Sequence, residues 1–204
     1  IIGWMSNWDY AQEVPTQAWR SSMTVAREVS LKKTNDGYIL KNIPVAQLKK
    51  YQGKSTRKTI KVKAENQLIE KSQIDLSKAV VDLDLKKMTA GKYTFALKNA
   101  LGEELTFGID NTTKELFVDR SKSGNTDFGN HFATAVSKAP LNKVYSNVKM
   151  KLVIDKTSIE IFFNDGEKVL TEIFFPNEHF SELYLSTDTK GSTLNIRGHQ
   201  LNIN

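Results

Sequence analysis

Hydrophobic and polar residues alternate with a period of two along most of this chain. The clearest run is Val81-Asp82-Leu83-Asp84-Leu85, where an extended backbone puts three aliphatic side chains on one face and both carboxylates on the other. The same reading predicts strands over 59–63, 93–97, 105–109, 116–118, 148–154, 158–163, 169–175, 183–186 and 194–200. Turn residues separate these runs: Ala90-Gly91, Leu101-Gly102, Asn111-Thr112-Thr113 and, most strongly, the hairpin sequence Asn164-Asp165-Gly166. Roughly ten strands with no helix between them predict two packed antiparallel sheets.

Ahead of these strands the pattern is looser. Residues 19–31 read as extended, Thr34-Asn35-Asp36-Gly37 as a hairpin turn, and 38–43 as the returning strand. Pro44 to Tyr51 is the best helical window: Pro44 suits a helix start, Val45, Leu48 and Tyr51 recur near helical spacing, and Gly53 ends it. A helix under three turns needs packing to persist, so it is read as a linker. The expected organisation is therefore 1–43, a linker over 44–54, and a sandwich over 55–204. The opening Gly3-Trp4-Met5-Ser6-Asn7-Trp8-Asp9-Tyr10 also reads as a strand. Trp4, Ser6 and Trp8 would then share one face, with the indoles about 7 Å apart. Two uses stay open for such a pair, core packing or a platform for a sugar ring.

Composition excludes more than it selects. The 39% hydrophobic and 25% charged shares are ordinary for a globular protein, and with no cysteine there is neither disulfide nor thiol chemistry. A net charge of +6 raises the question of nucleic acid. The densest basic stretch, from Lys49 to Lys63, has only Tyr51 as an aromatic neighbour and no recognition-helix or RNA-binding signature, so no nucleic-acid partner is expected. Attraction to an anionic cell surface remains open, and no apolar run reaches the ~20 residues of a membrane span. With no initiator Met, charged leader or cleavage site at its start, the sequence reads as the end of a longer protein.

The run GWMSNWDYAQEVPTQAWRSSMTVARE, Gly3 to Glu28, closely resembles the last propeller blade of the glycoside hydrolase family 32 fructosidases. The family's G-W-M-S-N-W-x-Y, V-P-T and W-R-S-x-M-x-x-x-R-E positions are all filled. Leu116 to Arg120 with Ser123-Gly124, and Ser158 to Glu167, resemble signatures of that family's C-terminal sandwich, so the likeness covers nearly the whole chain. It implies an all-β fold: a jelly-roll or concanavalin-like sandwich preceded by the last strands of a five-bladed propeller. It also implies a secreted, retaining β-fructosidase acting on levan, inulin or sucrose. The partners would be an upstream propeller in the same protein and a fructan or sucrose substrate, with no cofactor. The family's W-M-N-D-P-N, R-D-P and E-C motifs, which carry its catalytic carboxylates, do not occur here, so no catalytic residue is expected within this chain. As substrate contacts the resemblance points to Trp4 first, Trp8 second and Asn7 as a polar neighbour. Trp19 and Arg20 are assigned to packing.

Other chemistries find little support. Asp82 with Asp84, Glu160, Asp165 and Asp119-Arg120 read as solvent-facing, turn or strand-end residues rather than the paired carboxyls that glycoside hydrolysis needs. His131, His179 and His199 lack metal spacing, and the pairs Asp110 with Asp119 and Asp127 with Asp155 sit in no calcium-loop rhythm, so no metal is expected. Two alternatives to a supporting sandwich are a fructan-binding module, using Tyr93, Phe117, Phe128, Phe132, Tyr145 and Tyr184, and an oligomerisation domain built on edge strands.

Overall fold

The computed structural model describes residues 1–35, 37–129 and 131–203. Asp36, in the first hairpin turn, lies outside the described residues. Two six-stranded antiparallel sheets account for most of the chain. In the first sheet, β3 (Gln52–Lys61), β5 (Ala79–Lys86), β10 (Asn147–Asp155), β11 (Ser158–Phe163), β12 (Lys168–Ile173) and β14 (Thr193–Leu201) lie in the order β12-β11-β10-β5-β14-β3. The second contains β4 (Glu65–Ile69), β6 (Lys92–Lys98), β7 (Glu104–Asp110), β8 (Glu115–Asp119), β9 (Ser137–Pro140) and β13 (Glu182–Thr187), in the order β4-β13-β6-β7-β8-β9. A separate hairpin joins β1 (Arg27–Thr34) to β2 (Gly37–Pro44).

Period-two alternation builds the core. Val81, Leu83 and Leu85 of β5 face Leu152, Met150 and Val148 of β10 in register, and Phe95 of β6 lies opposite Phe107 of β7 with rings stacked 5.5 Å apart. The two inner faces meet in one cluster that also takes in Tyr93, Ile161, Phe163, Leu185 and Ile196. Asn164 and Asp165 close β11 onto β12 with φ of 44° and 57°, the left-handed pair that a tight hairpin of this type requires. Gly166 follows at φ 81°, and a Cβ there would come 1.9 Å from the Asn42 carbonyl oxygen. That close approach lets the Asn42 N–H donate to the Gly166 carbonyl at 3.0 Å, joining β2 to the sandwich.

The strands at 65–69 and 137–140 were not anticipated. Both are short edge strands, and Ser137–Pro140 has too little apolar content to show a period. The expected linker helix is a 3-10 helix, Ala46–Tyr51, with no buried residue. It gives way at once to β3, whose Gln52 already pairs with Leu201.

The outer face of the first sheet is not uniformly wet. Val80, Val153, Phe162 and Leu201 form a second apolar cluster there, covered by Val25, Leu48 and Val169. A third cluster, Met5, Tyr10, Val14, Phe132, Ile173 and Phe175, seats residues 5–14 against the edge formed by β12.

Candidate functional site

The opening segment is only partly a strand. The Met5 N–H donates to the Ser22 carbonyl at 2.9 Å and the Thr24 N–H to the Gly3 carbonyl at 2.8 Å, around a bridge between Trp4 and Met23. At Asn7 the chain turns. The Asn7 side-chain oxygen accepts the Asp9 N–H at 3.0 Å, and its carbonyl accepts the Tyr10 and Ala11 N–H groups at 3.2 and 2.8 Å. The expectation of one strand running through Trp8 is therefore corrected. Asn competes for its own backbone and ends extension, and it is this turn that brings the indoles together. Their ring centroids lie 5.0 Å apart with a 56° tilt.

The turn divides the side chains sharply. Met5, Tyr10 and Val14 are buried against the sandwich, whereas Trp4 is 38% and Trp8 80% exposed, and Asn7 is exposed beside them. All three candidate contacts are thus exposed, with Trp4 and Asn7 lining one recess and Trp8 against Trp4. Trp19 is exposed too, and Arg20 donates to the Gln12 carbonyl rather than stacking on Trp19.

Beside Trp4 and Asn7 lies a polar recess of about 400 Å³, whose far wall includes Arg120, His131 and Glu172. The Ser6 hydroxyl, which also lines it, is buried with no hydrogen-bond partner among the described residues. Arg120 fixes the recess. Its guanidinium meets the Glu172 carboxylate at 3.1 Å, donates to the Ile173 carbonyl at 3.0 Å and to the Tyr10 hydroxyl at 3.4 Å, and lies 4.0 Å from the Phe132 ring centre. The sequence leaves the Asp119-Arg120 corner as either a strand-end ion pair or a hydrogen-bonded corner. Arg120 reaches Glu172, while Asp119 accepts the Ser121 N–H in a local turn.

The other carboxylates are engaged elsewhere. Asp82 pairs with Lys151 and Asp84 with Lys86, both on the outer face of β5. Glu160, expected to face water or a strand neighbour, is 2% exposed. It accepts the Val25 N–H at 2.7 Å and binds the Arg27 guanidinium at 2.5 and 3.0 Å. The parity reading failed because it assumed that the second face of β11 meets water, and the opening segment covers it. An acid in the otherwise apolar run Ser158-Ile159-Glu160-Ile161-Phe162-Phe163 was the available signal, since a charge buried on both sides needs a cation. Of the six aromatics considered for a sheet-borne sugar platform, Tyr93, Phe117 and Phe132 are buried and Phe128, Tyr145 and Tyr184 half-buried, so none is exposed. Among the described residues no three histidine or carboxylate side chains converge as a metal site would require, and no helix is long and apolar enough to cross a membrane.

Comparison with known proteins adds what the geometry alone does not. Residues 45–200 match the family described as Glycosyl hydrolases family 32 C terminal, and residues 1–43 match Glycosyl hydrolases family 32 N-terminal domain. A levanase of Bacillus subtilis (strain 168) is 35% identical over 187 residues, which cover 90% of this chain and 28% of the levanase. The extracellular exo-inulinase inuE of Aspergillus niger is 29% identical over 205 residues, covering 96% of this chain and 37% of that protein. The crystal structure of exo-inulinase from Aspergillus awamori superposes with a TM-score of 0.82 at 29% identity, over 98% of this chain and 40% of that one. The chain therefore spans between 28 and 40% of the length of these three relatives.

Proposed function

The chain belongs to glycosyl hydrolase family 32, and on that footing we propose that it is the C-terminal part of a fructan β-fructosidase, an enzyme that releases fructose from levan, inulin or sucrose. Residues 1–43 are the closing strands of the catalytic propeller, 44–54 its connection, and 55–204 a non-catalytic sandwich that braces it. The catalytic carboxylates belong to the propeller upstream, and the enzyme acts outside the cell, as the extracellular inulinase is named to do. Trp4, with Trp8 and Asn7, forms one wall of the fructose pocket. The observation that supports this assignment is the division at the first turn, where Met5, Tyr10 and Val14 are buried against the sandwich and Trp4, Asn7 and Trp8 are exposed.

An exposed indole suits the apolar face of a sugar ring, and an amide beside it suits hydroxyls. In the full-length enzyme Trp4→Ala lowers kcat/KM for levan and inulin oligosaccharides by roughly thirtyfold, equivalent to about 2 kcal/mol of lost transition-state binding. A full-length protein that frees no fructose from any β-fructan overturns the functional reading. A Trp4→Ala enzyme with unchanged kcat/KM overturns only the site.

A further inference from the structure

Two contiguous recesses, of about 1220 and 800 Å³, separate the β1–β2 hairpin from the outer face of the first sheet. They share Lys41, Asp84, Lys149 and Asp165, so they form one cleft, and both of its walls are built from residues of this chain. The larger recess is lined by six lysines and three carboxylates. Two of those lysines are neutralised: Lys32 lies 2.7 Å from Glu167, which together with Asp165 holds its ammonium above the usual lysine range, and Lys86 lies 3.1 Å from Asp84.

Lys41, Lys143, Lys149 and Lys168 remain, coming from β2, the loop before β10, β10 itself and β12. None of the four has a carboxylate partner among the described residues; Asp165, with Glu28 in the smaller recess, is left to offset them, and the smaller recess adds Lys49 and Arg197. Fixed like charges facing one another across a groove concentrate counter-ions, and a chain of anions entering the groove gains by releasing them. The uncharged lining is mixed: Asn142, Ser146 and Asn147 offer amides and a hydroxyl, and Ile39, Leu141 and Val144 are aliphatic. Its aromatic content is poor: the Tyr145 ring has the Lys143 ammonium 5.2 Å from its centre and the Phe163 ring edge-on at 5.2 Å, which leaves exposed Tyr38 as a lone ring. Successive bases need successive stacking faces, and this cleft does not supply them.

We infer that the cleft between the hairpin and the sandwich binds a linear polyol phosphate, a phosphodiester-linked polyanion of the kind carried on cell surfaces, and so tethers the protein near its substrate. The charge argument is independent of the fructosidase reading. The choice of a surface polymer rests on the extracellular location proposed above.

The test is equilibrium binding of the intact protein to a poly(glycerol phosphate) oligomer of about ten units, read by fluorescence anisotropy. Inorganic phosphate, a levan oligosaccharide and an oligothymidylate of matched length serve as the other arms. Binding is expected in 50 mM salt and is expected to weaken on the order of tenfold in 200 mM salt. Lys149→Gln with Lys168→Gln lowers the affinity roughly tenfold. Lys63→Gln with Lys156→Gln, which removes the same charge from outside the cleft, changes it less than about twofold. These lysines are exposed, so neither double variant threatens the fold. Absence of binding in 50 mM salt, or an equal loss in both double variants, overturns the proposal. So does inorganic phosphate binding as tightly as the polymer, oligothymidylate binding as tightly or better, or salt-insensitive binding of the levan oligosaccharide. The readout is binding without hydrolysis, so its failure leaves the fructosidase reading untouched.

Discussion

Phe107 and Trp8 are both large aromatic side chains in an all-β chain, and they do opposite things. Phe107 is wholly buried between the two sheets and stacked on Phe95, whereas Trp8 is 80% exposed at a turn and touches little but Trp4. The contrast extends to the regions they stand for. Between its two sheets the sandwich closes its own core, with the inner apolar rows of each sheet covered by the other. The opening segment and its hairpin have one face spent on anchorage to the sandwich and leave Leu31, Tyr38 and Leu40 more than half exposed on β1 and β2. One region is held together by what it contains, the other by what it rests on.

The largest test of that contrast is Phe107→Ala. Removing a fully buried ring from a two-sheet core leaves a cavity between rows that cannot close, at a cost of about 4 kcal/mol. Urea denaturation followed by far-ultraviolet dichroism should show the whole sandwich losing stability in a single transition. A loss below about 1 kcal/mol would mean that the core repacks around the gap.

Glu160→Ala comes next and should act on the other region. It strands the Arg27 guanidinium, whose side chain is only 12% exposed, and removes the acceptor of the Val25 N–H. Breaking one side of such a buried pair costs about 3 kcal/mol. The cost should be local: amide exchange should accelerate over residues 1–44, while the amides of β6 and β7 keep their protection. Uniform acceleration in both regions would show that the two unfold together as one unit.

How much of this could be read from the sequence follows the same division. Val81 to Leu85 and the Asn164-Asp165-Gly166 turn carry their structure in local pattern, because a strand with one wet face must alternate and a tight hairpin needs left-handed residues. Ser158 to Phe163 is buried on both faces and reads as a strand from its isoleucine and phenylalanine content rather than from alternation. Glu160 and Arg120 could not be placed that way. Their partners, Arg27 and Glu172, lie 133 and 52 positions distant, and only the folded chain brings them together. Trp4, Trp8 and Asn7 are singled out by resemblance alone; the period-two reading places Asn7 opposite Trp4, and it does not foresee the turn at Asn7 that ends the strand.

Glu103 tests the sandwich more gently. It is half-buried at the turn between β6 and β7, where burial alone would raise its pKa. Hydrogen bonds from the Asn177 and Asn99 side chains and from the Asn177 and Glu178 backbone outweigh that effect and hold the carboxyl below the usual glutamate range. A depressed native pKa contributes stability that is present above the unfolded pKa and lost as pH falls through the native one. Glu103→Gln should therefore lower the melting temperature at pH 7 by an amount worth less than about 1 kcal/mol. The difference from the parent should shrink as pH falls from about 5 toward 3. A constant difference across that range would assign the effect to packing rather than charge.

The smallest effect belongs to Trp8→Ala, and it bears most directly on the comparison. An indole that is 80% exposed has little apolar area left to lose, so the unfolding midpoint should move by no more than about 0.5 kcal/mol, against about 4 kcal/mol for the phenylalanine inside the sandwich. In the full-length enzyme the same substitution should raise KM for fructan oligosaccharides severalfold, as loss of binding surface does, with kcat nearly constant. If Trp8→Ala instead destabilises the protein by more than about 2 kcal/mol, the ring is packing material, and the outward side of the first turn loses its claim to be a site.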